Sequence, residues 1–167
     1  MTKRERLEAA YALGAPDLAP FVPAVYEHKA RLIGRTPSEV CRSLDLLLEA
    51  LEAELAVYGP DALTVGVDVY NVEAEAAGAA VRFFDGSNDV PAVVEPLVAG
   101  PADLRRLGTP DPARDGRLPL FVEAAARLHK DKGRDLVVRG AVSGPFSLAC
   151  ALAGTEAVLV ATVEDPL

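Results

Sequence analysis

Between positions 68 and 75 the chain holds Asp68, Tyr70, Asn71, Glu73 and Glu75, three carboxylates with a phenol and a carboxamide among them. Carboxylates accept hydrogen bonds from N–H groups and can hold or release a proton, while a phenol and an amide both donate and accept. The residues just before them present the group. Leu63, Val65 and Val67 alternate with Thr64, Gly66 and Asp68, the period of a strand with one branched face and one polar face. Asp68 then stands at the carboxyl end of that strand, where βα architectures place their chemistry. A second reading needs no ligand: Asp68 caps the following helix, and Glu73 and Glu75 occupy its first turn, where the helix dipole favours negative charge.

Cations able to meet such a site come from two places. Leu136–Val142 alternates as another strand, with Leu136, Val138 and Val142 toward the helices and Val137, Arg139, Ala141 and Ser143 inward. Arg139 is the inward cation and the natural partner for Asp68, in a pair that either serves structure alone or holds an anionic group. Ser143-Gly144-Pro145 then turns the chain into a helix whose first N–H groups can receive an anion. The segment EHKARLIGR supplies Lys29, Arg31 and Arg35 and reads first as a charged, solvated loop. His129 faces solvent or the carbonyls at a helix end rather than a metal. Cys41 and Cys150 lack the companion spacing of a disulfide framework or a zinc motif and read as buried thiols.

The elements that must position these groups follow from local signals. Thr2 and Glu5 form a capping box for a helix over Lys3–Leu13 that Gly14 stops. Leu18–Tyr26 reads as a first strand, shortened by its prolines. Thr36-Pro37-Ser38-Glu39 starts a helix, and Val40, Leu44, Leu47, Leu48, Leu51 and Leu55 continue it as one apolar stripe to Gly59-Pro60. That first strand, the helix and the strand at Leu63 are then parallel neighbours. Ala79–Phe84 and Ala92–Val98 are short extended pieces around a turn. Residues 100–119 read as loop with a turn of helix near Leu104, and a connection of that length is usually functional or mobile. Leu120–Lys132 forms an amphipathic helix with Phe121, Ala124, Ala125 and Leu128 inward, and helices over Phe146–Ala153 and Thr155–Glu164 follow.

A chain of 167 residues, 50% hydrophobic and 25% charged, fits one globular domain over 1–167. Its net charge of −8 and lack of Trp exclude a general nucleic-acid binder, which needs clustered cations and stacking platforms. No apolar run approaches the roughly 18 residues that span a membrane, and MTKRERLEAA has no signal-peptide core. A cytoplasmic location without a membrane partner is the expectation. The fold class is α/β, with three to four βα units after an N-terminal helix. That is too few to close a (β/α)8 barrel of about 250 residues, and it leaves an unpaired strand edge on each side.

TKRERLEAA with PDLAPFVP, VGVDVYNVEAEAAG, VPAVVEPLVAGPADLRRLGTPDPARDGRLP, and RGAVSGPFSLACALAG closing with EDP resemble successive blocks of the uroporphyrinogen decarboxylase family. That family also includes corrinoid-dependent methyltransferases such as the methylcobamide:coenzyme M enzymes. The resemblance covers nearly the whole chain and about the first half of the family's barrel, so it implies a partial TIM barrel. It sets Asp68 where the decarboxylases hold the aspartate that meets the pyrrole N–H groups of the substrate, which makes Asp68 the expected catalytic residue. Ser143, Gly144 and Pro145 match the turn lining the same cavity, with Arg139, Tyr70 and Asn71 as further substrate-binding candidates. The decarboxylases carry an arginine-rich RQAGR segment where this chain reads YEHKARLIGR, so only Lys29, Arg31 or Arg35 can take its place. Their tyrosine after the Gly-Pro turn corresponds to Ala151. The His-x-Cys and later Cys that bind zinc in the methyltransferase branch would lie beyond Leu167, and neither Cys41 nor Cys150 replaces them.

The resemblance therefore implies a protein of the corrinoid-dependent methyltransferase-like branch that lacks a complete catalytic set, whether for a methyltransferase or for a lyase. The alternatives are a uroporphyrinogen decarboxylase of tetrapyrrole biosynthesis, or a non-catalytic half barrel that self-associates or binds a tetrapyrrole or corrinoid. No cofactor or metal is expected within this chain, and a corrinoid or zinc enters only with the missing half. The expected partners are a tetrapyrrole- or corrinoid-type small molecule and either a complementary C-terminal half or a second copy in a homo-oligomer.

Overall fold

Thr2 Oγ1 accepts a hydrogen bond from the Glu5 N–H at 3.1 Å, and Glu5 Oε2 accepts one from the Thr2 N–H at 2.7 Å. This capping box starts α1, Lys3–Tyr11, as the sequence requires. In the computed structural model, which describes residues 1–68 and 71–164, α1 closes the amino ends of two parallel strands. Its Arg4 N–H reaches Asp135 O at 2.8 Å and its Lys3 Nζ reaches Pro60 O at 3.0 Å, just before each strand begins.

The strands are β1, Ala62–Val65, and β4, Val137–Gly140, paired with Thr64 opposite Arg139. Before β1 come α2, His28–Leu32, α3, Pro37–Val40, and α4, Leu44–Tyr58. Between the two strands lie α5, Val72–Ala76, the antiparallel pair β2, Val81–Arg82, and β3, Ala92–Val93, then α6, Pro101–Leu104, and α7, Leu118–Lys132. Two helices follow β4: α8, Pro145–Ala153, and α9, Thr155–Glu164.

Helices α4 and α7 pack against the strand pair. Leu47, Leu51, Ala124 and Leu128 meet Leu63, Val65, Val67 and Leu136 in one buried cluster, the face that the alternation assigned to the helices. Each fully buried leucine there contributes about 1.5–3 kcal/mol relative to exposure. Ala74, Ala79, Val98 and Leu152 form a second cluster around α5 and α8.

Four expectations are corrected. Leu18–Tyr26 is not a strand: Pro20 and Pro23 have no N–H to give a ladder, and the segment is tied to the residue before β1 by N–H of Asp61 to Phe21 O at 2.8 Å and N–H of Phe21 to Asp61 Oδ2 at 2.7 Å. Among the described residues the parallel sheet therefore has two strands, where three to four βα units were expected. The stripe from Val40 to Leu55 is divided between α3 and α4, because Ser43 adopts an extended conformation and its side chain accepts from the Leu46 N–H at 3.4 Å, starting a new helix. Val142 does not face the helices: β4 ends at Gly140, and Val142 is 81% exposed. Among the described residues no single helix is long and apolar enough to cross a membrane, and α8 and α9 meet at a bend of 114°.

Candidate functional site

After β1 the chain passes through Gly66, whose φ of +130° suits only glycine, and delivers Asp68 to a buried position with 4% exposure. The cation that meets it comes from the start of α7. Gly116, at φ +53°, runs so close to α5 that a Cβ there would lie 3.0 Å from Ala76 N. This close approach carries the next residue, Arg117, under Asp68. Arg117 donates from Nη1 to Asp68 Oδ2 at 2.7 Å, from Nη2 to Asn71 Oδ1 at 2.6 Å and from Nε to Glu75 Oε2 at 2.5 Å. Its guanidinium also lies over the Phe83 ring, 5.1 Å from the centroid. Asn71 is fixed from its other end, Nδ2 donating to Pro91 O at 2.5 Å.

The carboxylate is used on one side only. Asp68 Oδ1 is buried and has no hydrogen-bond partner among the described residues, an arrangement that costs about 1–3 kcal/mol in an interior and that is uncommon enough to need a reason. Asp68 lines a cavity of 490 Å³ together with Tyr26, Val67, Asn71, Pro91 and Ala151, with Glu27 at the same wall. Tyr26 sits there at φ +33°, a strained conformation for a side chain of its size. Burial pushes the Asp68 carboxyl above its ordinary value, with Arg117 pulling the other way. Burial also opposes the charge on Arg117, but Asp68, Cys41 and Glu75 outweigh it and hold the guanidinium above its ordinary value. Cys41, buried beside this pair, has its thiol pushed up to about 12, chiefly by burial and then by the Asp68 charge. What the arrangement can do is accept a hydrogen bond from an N–H donor in an apolar cavity, on a carboxylate held rigid from behind.

Over residues 2–167 the sequence matches the family model described as Uroporphyrinogen decarboxylase (URO-D). The chain belongs to the uroporphyrinogen decarboxylase family. No curated protein matches it. Among solved structures it is similar to a methyltransferase from Methanosarcina mazei, with a TM-score of 0.81 and 22% identity over 99% of this chain and 49% of that one. At that identity the likeness is one of fold, and the chain spans about half the length of that methyltransferase.

Within this uroporphyrinogen decarboxylase-family chain, Asp68 and Asn71 come together at the cavity, and Tyr70 lies outside the described residues. Asp68 does not cap α5, whose N-cap is Asn71. Arg139 is not the partner of Asp68. It stands opposite Thr64 in the sheet and gives Nε and Nη2 to Thr64 Oγ1 at 3.2 and 2.6 Å. Ser143 donates its N–H to Glu73 Oε1 at 2.9 Å and its hydroxyl to Glu73 Oε2 at 3.0 Å, which pins the turn before α8 to α5. Gly144 is the N-cap of α8 and lines a second cavity, of 370 Å³, with Ser143 and Arg139. Within the predicted loop EHKARLIGR, His28–Leu32 is instead helix α2, and the segment's basic residues are not among those lining the Asp68 cavity. Lys29 is 1% exposed, with Nζ 2.9 Å from Glu54 Oε2 and donating to Thr64 O at 2.9 Å. Arg31 is exposed, and Arg35 pairs with Glu39 at 3.4 Å.

Arg117 is the residue of this candidate site that sequence reasoning missed. The one available signal was the length of the connection over residues 100–119, which marked the region without marking the residue. Among the described residues no three of His, Cys, Asp and Glu are placed to hold a metal ion.

Proposed function

We propose that this chain is the amino-terminal half of a (β/α)8 barrel of the methyltransferase-like branch, and that Asp68 holds a corrinoid-type ligand through Oδ1. The observation that carries this reading is the asymmetry of that carboxylate: Oδ2 is taken by Arg117, and Oδ1 is buried without a partner among the described residues, on a residue lining the 490 Å³ cavity. A buried acceptor on an apolar wall fits a ligand that brings its own N–H, whether pyrrole or carboxamide. In this role Asp68 accepts the hydrogen bond, Arg117 positions it from behind, and Asn71, tied to both Arg117 and Pro91 O, keeps the wall in place.

The lining favours an amide-bearing corrinoid over a porphyrinogen rich in carboxylates. No cation is among its lining residues, Glu27 adds a negative group, and Ala151 stands there where the decarboxylases carry a tyrosine. A corrinoid, when bound, supplies the methyl-transfer chemistry. In this reading the activation of a thiol is the work of the other half of the barrel. Titration with hydroxocobalamin, followed by its visible spectrum, tests the reading. Binding should weaken at least tenfold in Asp68→Ala. Equal binding by the variant, or turnover of uroporphyrinogen that survives the substitution, overturns it.

A second reading rests on the exposed apolar surface. Leu159, Val160 and Val163 on α9 are 51%, 45% and 79% exposed, and α9 buries no residue of its own. Two copies that covered this face would give a symmetric, self-complementary dimer. Light scattering decides: a concentration-independent monomer rules it out.

A further inference from the structure

Four arginines among the described residues are not fully exposed: Arg4, Arg6, Arg117 and Arg139. Arg4 has Glu8, Arg6 has Asp17 and Asp61, and Arg117 has Asp68 and Glu75. Among the described residues Arg139 has no carboxylate within ion-pair distance, in a chain whose net charge is −8. Its hydrogen-bond acceptor among the described residues is a neutral hydroxyl, Thr64 Oγ1, which takes the Nε and Nη2 side of the guanidinium. That contact orients the fork and leaves the Nη1–Nη2 end, the edge that grips a carboxylate or phosphate with two parallel bonds.

The guanidinium lines the 370 Å³ cavity with Tyr26, Thr64, Ser143, Gly144 and Ser147. Glu73, which reaches Ser143 on that wall, is committed to it through both oxygens. Tyr26 lines this cavity and the Asp68 cavity alike. Thr64, in β1, and Asp68, beyond its end, are four residues apart along the chain, so their Cα atoms are no more than about 14 Å apart.

We propose that Arg139, oriented by Thr64, is the anchor of an oxyanion subsite that takes a single carboxylate or phosphate group next to the Asp68 cavity. The proposal goes beyond the reading above, because Arg139 can hold an anion whether or not Asp68 holds a macrocycle. The anion is either an acidic arm of the molecule at Asp68 or the acid group of a separate, smaller substrate. In both cases Arg139 binds by charge and by its planar fork, and one cation of this kind selects a singly placed acid group rather than a ring of them.

The test is a titration of the full chain with inorganic phosphate, read by NMR at the arginine Nε–H groups and the backbone amides. Saturable shifts are expected at Arg139, Gly144 and Ser147, with Asp68 unmoved. Arg139→Gln should weaken binding at least tenfold, Arg139→Lys should lose less, and Asp68→Asn, which keeps an acceptor for Arg117, should change nothing, which separates this proposal from the corrinoid reading. Unfolding curves of each variant show that the fold is intact, and Arg139→Lys keeps the test open should the glutamine variant not fold. Competition by a corrinoid with one amide hydrolysed to the acid assigns the anion to the ligand at Asp68, and co-binding assigns it to a second molecule. Both outcomes uphold the subsite. Unsaturable shifts spread over exposed arginines such as Arg31 and Arg105, or unchanged phosphate binding in Arg139→Gln, overturn it.

Discussion

Arg117 and Asp68, 49 positions apart, meet at 2.7 Å in a buried ion pair that also gathers Asn71 and Glu75 around one guanidinium. Three acceptors converge on a single planar fork, so the group acts as a unit and its loss leaves several buried polar atoms unpaired.

Arg117→Met is therefore expected to destabilise the chain by about 3–5 kcal/mol, the usual cost of leaving a buried charge without its partner. Asp68→Asn should cost far less, since an amide oxygen still accepts from Arg117. Urea unfolding of the two variants beside the parent checks the order. Equal losses would mean that the charge on Asp68 matters as much to the network as the Arg117 fork.

Lys29 and Glu54 make a second buried pair, at 1% and 2% side-chain exposure. Lys29→Met strands the glutamate and should cost about 3–5 kcal/mol, whereas Lys29→Met with Glu54→Leu should recover most of that loss. A double-mutant cycle by denaturant unfolding measures the coupling. Additive losses would show that the pair contributes nothing specific.

The Asp68 carboxyl is raised above its ordinary 3.8 by burial, against the pull of Arg117. The folded chain therefore keeps this proton at a pH where the unfolded chain has released it. The group favours the folded state below the unfolded value, and that contribution is lost as pH rises through the folded one. Asp68→Asn cannot ionise and escapes the loss. Its stability relative to the parent should rise as pH increases from about 4, the unfolded aspartate range, toward neutrality. Unfolding midpoints across that window check the sign, and a relative fall in the variant would contradict it.

Cys41 is fully buried with its thiol pushed up to about 12, while Cys150 is only half-buried. A disulfide exchange reagent at neutral pH should label Cys150 in the native chain and reach Cys41 only on unfolding, because the thiolate is the reactive species. Counting labels by mass before and after denaturation tests this. Rapid native labelling of Cys41 would show that the region around Asp68 opens.

Much of the scaffold is legible in the residues alone, for reasons that act over a few positions. The capping boxes at Thr2 and Thr36 close over three residues, Gly59 ends α4 in a left-handed conformation, and the alternation of Leu63, Val65 and Val67 marks the buried face of β1. The same locality let Leu18–Tyr26 pass for a strand, since its apolar residues show the pattern while its prolines remove the ladder. Asp68 was found because a carboxylate at a strand end stands out against its neighbours. Its partner was not, because both Arg117 and Arg139 satisfy charge and only the path of the chain past Gly116 decides which one arrives. Lys29 shows the same division: in sequence it belongs to a basic, solvated run, and the packing of α2 on α4 turns it into an interior cation facing Glu54. Short-range hydrogen bonds and periodicity are written in consecutive residues, whereas the pairing of charges depends on distances through space that exist only once the helices and strands have packed.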